Sequence, residues 1–313
     1  MSTARPLPVD DEGRPLFELP DELAIDTDVA RRVIAGFIRG QLRQAGFDRC
    51  VLALSGGIDS GLVAYLVAEA IGADKLLCVL MPYRTSSPAS RSDAETIVAE
   101  LGCRSELVDI SPMVDAFFGR GGPPETPAPS DAEAQVTGSP ASPIRRGNFM
   151  ARMRMAIIYD RSATFGGLVV GTGNKTESLI GYTTIYGDNA CAFNPIGDLY
   201  KSQVRQLAAA IGVPRQVIAK APSADLWPDQ TDEGEGSFSY PLLDRILYWR
   251  IDRRRSTDEL VGMGFERALV ERVERLVATS EFKRQVPPVA KLGPRTAGVD
   301  YLYPRRRPGS SRT

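Results

Sequence analysis

The run Ser55-Gly56-Gly57-Ile58-Asp59-Ser60 holds the residues best suited to chemistry in this chain. Adjacent glycines let the backbone take positive φ and come close to a ligand. Where a helix starts directly after such a turn, the amides of the turn and of the first helical residues point at an anion. Ser55 and Ser60 add hydroxyls, while Asp59 would repel a phosphate unless a cation such as Mg2+ lay between them. The run matches neither G-x-x-x-x-G-K-[ST] nor G-x-G-x-x-G, so it is neither a Walker loop nor a dinucleotide fingerprint. The 313 residues include no histidine. A Ser-His-Asp triad, a His-bearing metal site and a His general base are therefore excluded. Chemistry must run on carboxylates, Lys, Arg, backbone amides and a hard metal ion.

A second group of motifs lies further along. Gly171-Thr172-Gly173-Asn174-Lys175-Thr176-Glu177 ends an apolar run and opens a helix, and Gly181-Tyr182-Thr183-Thr184-Ile185-Tyr186-Gly187-Asp188 follows. Then come Asn194-Pro195-Ile196-Gly197-Asp198-Leu199-Tyr200-Lys201 and Pro222-Ser223-Ala224-Asp225-Leu226-Trp227, with Ala151-Arg152-Met153-Arg154-Met155 upstream. The Ser55–Ser60 run resembles the pyrophosphate loop of the ATP pyrophosphatases. The five motifs, taken in order, resemble the ammonia-dependent NAD synthetases over about residues 26–304.

The resemblance implies a reaction and a set of roles. The carboxylate of nicotinate adenine dinucleotide would be adenylated by ATP, and ammonia would then displace AMP to give the amide. ATP would be held by Ser55, Gly56, Gly57, Ile58, Asp59, Ser60, Thr172, Lys201 and Ser223, and Mg2+ by Asp59 and Glu177. Lys201 would neutralise the departing pyrophosphate. Arg152, Asp188 and Lys283 would contact the dinucleotide. The chain departs from the family at Ile185, at Asn189-Ala190-Cys191-Ala192 and at Phe282, where the family has a lysine, a second acidic residue and a histidine. Adenylation residues are kept and dinucleotide contacts are changed, which leaves Asp188 to hold more of the recognition. The resemblance also implies a homodimer. Only about 25 residues precede the synthetase-like core, with no cysteine among them, so the nitrogen source is expected to be free ammonia or a separate partner. Two alternatives are another amide ligase of the same superfamily and a nucleotide-binding regulator without catalysis.

These residues need elements to position them. An apolar run at 50–54 reads as a buried strand feeding the glycine loop, and 62–71 reads as a helix closed by Gly72. Strands at 76–81, 106–110 and 167–171 alternate with helices at 28–45, 91–101, 148–162 and 201–211. Val29, Val33, Ile34, Phe37, Ile38 and Leu42 share one stripe of the first helix. Such alternation predicts a doubly wound, mostly parallel, Rossmann-like α/β sheet with ligands beyond the strand C-termini. Further helices are expected at 242–250 and 265–278, after an acidic loop at 221–239. Residues 1–25 read as an irregular leader and 305–313 as a basic, solvated tail. The proline- and glycine-rich stretch 119–143 reads as a mobile loop, either a surface insertion or a lid.

The totals set the class. Hydrophobic residues make up 43% and charged residues 25%, as in ordinary globular proteins. A net charge of −1 gives no global field to recruit nucleic acid or an anionic membrane. Cys50, Cys78, Cys103 and Cys191 lack C-x-x-C spacing, which suits buried free thiols in a reducing cytoplasm. The polar N-terminus has no apolar signal core, and no window is apolar enough to span a membrane.

Overall fold

The computed structural model describes residues 7–9, 12–118, 143–221 and 238–296. Four parallel strands, β1 (Cys50–Ala53), β2 (Leu76–Leu80), β3 (Arg104–Leu107) and β4 (Leu168–Val170), form one sheet in the order β3-β2-β1-β4. Around it run α1 (Thr27–Ala45), α2 (Ile58–Ile71), α3 (Pro88–Leu101), α4 (Ser111–Phe118), α5 (Pro143–Phe165), α6 (Lys175–Ile180), α7 (Lys201–Ile211), α8 (Arg215–Ala219), α9 (Tyr240–Leu247), α10 (Thr257–Gly262) and α11 (Arg267–Thr279).

Alternation along the strands builds two cores, because successive side chains leave opposite faces of a sheet. Cys50, Leu52, Leu76, Cys78 and Leu80 pack with Ile38 and Leu42 of α1, with α2, and with Val204 and Leu207 of α7. Val51, Val79 and Val169 pack on the other face with Val114 of α4 and with Met150 and Ile158 of α5. α2 is apolar nearly all round and lies in the middle, with Leu62, Val63, Leu66 and Val67 fully buried. A third cluster joins α9, α10 and α11 through Leu243, Ile246, Leu260, Val270 and Val273. The doubly wound expectation therefore holds, with the C-terminal helices as a separate layer.

The chain leaves β1 toward β2 and β3, then returns to lay β4 on the other side of β1. The C-terminal ends of β1 and β4 flank this switch point, where open α/β sheets bind ligands. The Ser55–Ser60 loop follows β1, and the Gly171–Glu177 segment follows β4.

Some expectations need correcting. Ile34, Ile38 and Leu42 face the core, but Val29, Val33 and Phe37 are 44%, 64% and 38% exposed. Each trio is an i, i+4 row, and the rows sit one residue, about 100°, apart on the helix. The predicted strand at 106–110 pairs earlier, Leu77 opposite Arg104 through Leu80 opposite Leu107, because this edge strand starts with polar, exposed residues. The described part of the leader is docked: Phe17 and Leu23 are buried, and the Gln206 side chain bonds both Ile25 N and Ile25 O at 3.0 Å. Cys50, Cys78 and Cys103 are buried free thiols, and Cys191 is half-buried. The 119–143 loop lies outside the described residues except for Pro143, and the acidic loop lies outside them except for Ala221, Phe238 and Ser239. No helix among the described residues is long and apolar enough to cross a membrane.

Candidate active site

The glycine loop is shaped from within. Gly56 has φ +78°, and a Cβ there would lie 1.9 Å from the Ser90 carbonyl oxygen of α3. Only glycine permits both the conformation and this approach. The Ser60 hydroxyl donates to Gly57 O at 3.1 Å and accepts from Ser55 N at 3.2 Å. Gly57 N donates to Ser55 Oγ at 3.2 Å, and the two serine hydroxyls are 3.0 Å apart. Ser60 is buried, knots the loop together and also lines the cavity. The first-turn amides of α2, at Ile58, Asp59 and Ser60, cannot be satisfied within the helix and remain for an anion.

Three helices converge beside this loop. Asp59 stands in the first turn of α2, Glu177 in that of α6, and Lys201 is the first residue of α7. The Lys201 ammonium donates to Asp59 Oδ2 at 2.5 Å and to Glu177 Oε1 at 3.2 Å, with its side chain only 3% exposed. It also lies 5.2 Å from the centre of the Tyr240 ring. Asn174, fully buried, fixes the two carboxylates relative to each other. Its side chain donates to Asp59 Oδ1 at 2.9 Å and accepts from Glu177 N at 3.0 Å, while Glu177 Oε2 accepts from Asn174 N at 3.2 Å. Asn174 and Glu177 form the reciprocal cap of α6. The sequence reading missed Asn174, although the N-x-x-E spacing carried its signal.

Burial pushes the Glu177 carboxyl up to about 7, with the Asp59 carboxylate adding to the rise and Lys201 opposing it. A carboxyl raised above its unfolded value of 4.5 takes up a proton on folding. Its stabilising contribution is complete below 4.5 and is lost as pH rises through about 7. Glu177→Gln removes this titration. The Tm difference, variant minus parent, should therefore grow by about 3–5 °C between pH 5.5 and pH 8 in metal-free buffer, read by differential scanning calorimetry.

The loop opens into a cavity of about 770 Å³, walled by Val79, Met81, Ile158 and Val169 and flanked by Ser90 and Arg91 of α3 and by Ser87, the residue before it. Thr172, Asp188 and Lys283 also line it. Asp188 accepts from Thr183 Oγ1 and Thr184 N, both at 2.7 Å. Lys283 donates to Gly181 O at 2.7 Å and Thr183 O at 2.8 Å; burial lowers its pKa while Asp188 opposes that shift. Both residues hold the 181–188 turn against the cavity. Arg152 is exposed, donates to Ile185 O at 3.2 Å and is not among the cavity-lining residues. Ser223 lies outside the described residues. The flank from α3 carried no motif and was not foreseen.

Among the described residues no three acidic, histidine or cysteine side chains gather as a metal nest. Mg2+ needs no such nest, since one or two carboxylates with phosphate oxygens and waters suffice. Asp59 and Glu177 are hard oxygen donors held around one shared cation, the Lys201 ammonium. That donor set fits Mg2+.

The chain is similar to known proteins in sequence and in fold. The NAD synthase family model matches residues 30–287. An NH(3)-dependent NAD(+) synthetase of Trichlorobacter lovleyi is 46% identical over 283 residues, 90% of this chain and 97% of that protein. One from Chlorobaculum parvum is 44% identical over 286 residues, 91% of this chain and 97% of that protein. Among solved structures, an NH3-dependent NAD synthetase from Campylobacter jejuni superposes with a TM-score of 0.68 at 31% identity, covering 86% of this chain and 100% of that one. An NMN synthetase from Francisella tularensis gives 0.70 at 26% identity, covering 85% and 99%. The chain belongs to the NAD synthase family.

Proposed function

We propose that this protein is an ammonia-dependent NAD synthetase that uses ATP and Mg2+ to convert nicotinate adenine dinucleotide to NAD, AMP and pyrophosphate. The observation that carries this reading is the Asp59–Lys201–Glu177 cluster set against the amide-lined loop at the switch point. It supplies an ammonium, free N–H groups and two carboxylates able to hold a cation where the outer phosphates of ATP would lie. The cavity beyond it supplies apolar walls and polar ends for a dinucleotide.

The carboxylate oxygen of the dinucleotide bonds to the α-phosphorus, and the bond from that phosphorus to the pyrophosphate oxygen breaks. The loop amides and Lys201 hold the negative charge that builds on the leaving group. Asp59 and Glu177 would hold Mg2+, which supplies further charge neutralisation there. Ammonia then bonds to the acyl carbon, AMP leaves with the electron pair of the broken C–O bond, and a proton passes to water or a nearby carboxylate. Neutral ammonia needs no strong base, which suits a chain without histidine. The apolar walls limit access of water to the acyl-adenylate.

A homodimer and a cytoplasmic setting belong to the same reading. The exposed row Val29, Val33, Phe37 on α1 supports association, and equilibrium sedimentation reads it as a mass twice that of the chain.

Incubation with ATP, Mg2+, ammonium and nicotinate adenine dinucleotide should give NAD by mass spectrometry, with one AMP per NAD. Omitting ammonium should stop NAD formation. Nicotinate mononucleotide is the competing acceptor, suggested by the Francisella neighbour and by the changed residues near Asp188. A higher kcat/KM on the mononucleotide would reassign the substrate. AMP release independent of either acceptor would remove the amide-ligase reading.

A further inference from the structure

Behind the Asp59–Lys201–Glu177 cluster lies a second polar knot, in which neither the motifs nor the mechanism involves the central group. Asp244 stands on α9 and is wholly buried, on a helix whose other buried residues include Leu243, Ile246 and Leu247. Its Oδ1 accepts from Thr176 Oγ1 at 2.6 Å. Its Oδ2 accepts from Ser202 N at 2.8 Å and from Ser202 Oγ at 2.7 Å. Thr176 Oγ1 in turn accepts from Lys201 N at 3.0 Å. Thr176 and Ser202 are themselves 0% and 2% exposed.

The chain neighbours give this knot its meaning. Thr176 immediately precedes Glu177, and Ser202 immediately follows Lys201. One carboxylate therefore ties together the backbone at two working residues that lie on different helices and 24 positions apart. Burying a carboxylate is costly, and desolvation lifts this one to about 6 against the bonds from Thr176 and Ser202. Packing alone would be served at lower cost by a leucine, as at its neighbours. The geometry fits a role in holding the site.

We propose that Asp244 is a positioning residue, which sets Lys201 and Glu177 at the mutual spacing needed to bind the metal–nucleotide pair and release pyrophosphate. The proposal rests on the reading of Lys201 and Glu177 given above.

Three substitutions test it. Asp244→Asn keeps the volume and removes the charge. Thr176→Val keeps the volume and removes the hydroxyl, and Thr176→Ser restores the hydroxyl. Each variant is assayed at least about 10 °C below its own Tm, with competent sites counted by titration with α,β-methylene-ATP and Mg2+. The expected result is a fall of about 10- to 100-fold in kcat per competent site for Asp244→Asn and Thr176→Val. KM for the dinucleotide stays within about twofold, because Asp244 bonds only Thr176 and Ser202 and neither Asp188 nor Lys283. Thr176→Ser recovers activity relative to Thr176→Val.

A merely structural role would lower Tm or the number of competent sites and leave kcat per site unchanged, and that result overturns the proposal. Should Asp244→Asn fail to fold, the Thr176→Val and Thr176→Ser pair decides. Mn2+ affinity, read by electron paramagnetic resonance with α,β-methylene-ATP present, separates the two claims. It should weaken about 10-fold in Asp244→Asn and Thr176→Val even if the parent makes no AMP. A parent without substrate-dependent AMP would sink the reaction assignment alone. Equal Mn2+ affinities across these proteins would sink the positioning role.

Discussion

Asp59→Asn lowers the rate of NAD formation by about 10³-fold while the protein stays folded. The loss is large because one substitution removes a metal ligand and half of the negative charge that centres Lys201. In the parent, Lys201 Nζ lies 2.5 Å from Asp59 Oδ2 and 3.2 Å from Glu177 Oε1. With Asp59 neutral, the ammonium pairs with Glu177 alone and is drawn away from the loop. Folding survives for the same reason, since Lys201 and Glu177 remain a balanced pair and no buried charge is stranded. The Asn174 side chain still has an oxygen partner at position 59 in one amide orientation. Steady-state assays beside a thermal melt check the result: a Tm within a few degrees of the parent, with activity at about the 10⁻³ level. Activity above about a tenth of the parent would mean that Asp59 holds no essential ligand.

Gly56→Ala has the second large effect, and it acts on stability and nucleotide binding together. The positive φ of Gly56, +78°, costs an alanine about 1 kcal/mol. The added methyl would also lie 1.9 Å from Ser90 O, so α3 must move and the loop with it, at about a further 1–3 kcal/mol. Gly46→Ala separates the two contributions. Gly46 has φ +77°, but a Cβ there meets nothing within 4 Å. That variant should lose only the conformational share, about 1 kcal/mol, and keep the parent KM for ATP. Gly56→Ala should lose more stability and raise the ATP KM about tenfold or more, because the first-turn amides of α2 no longer face one point. Urea unfolding and ATP titrations of the two variants measure the contrast. Equal losses would show that the Ser90 contact is relaxed at no cost and that the loop is not shaped by α3.

The parts of the fold that were legible in the sequence are those with strong local signals. The 50–54 strand and its glycine loop could be read because a short apolar run ends in residues that only a tight turn uses. The helix at 201–211 was bounded correctly, since its buried residues Val204, Leu207 and Ala208 share one face and Gly212 closes it at φ +89°. The short helices α4, α8 and α10 were not read, because segments of 5 to 8 residues hold too few turns to show a period. The edge strand β3 was shifted because its first residues are polar and carry no apolar alternation.

The site divides in the same way. Asp59, Glu177 and Lys201 were identified by motif, and the structure brings them together. Ser60 lines the cavity as its motif suggests, and its hydroxyl also bonds Gly57 O, a contact that a loop this tight imposes. Asn174 and Asp244 act across separations of 115 and 68 residues, and nothing in a local pattern shows which distant carboxylate or hydroxyl a buried polar residue will meet. Arg152, expected at the substrate, bonds Ile185 O and is absent from the cavity lining.

On the proposed function, the Ser55–Ser60 turn holds the outer phosphates of ATP with a divalent cation shared by Asp59 and Glu177. A crystal structure with α,β-methylene-ATP and Mg2+ tests it directly. The β- and γ-phosphates should lie against the amides of residues 58–60, the metal should touch one oxygen of Asp59 and one of Glu177, and Lys201 Nζ should have turned from the carboxylates to a phosphate oxygen. Phosphates bound elsewhere in the cavity, with Lys201 still bridging both carboxylates, would rule out this role for the turn.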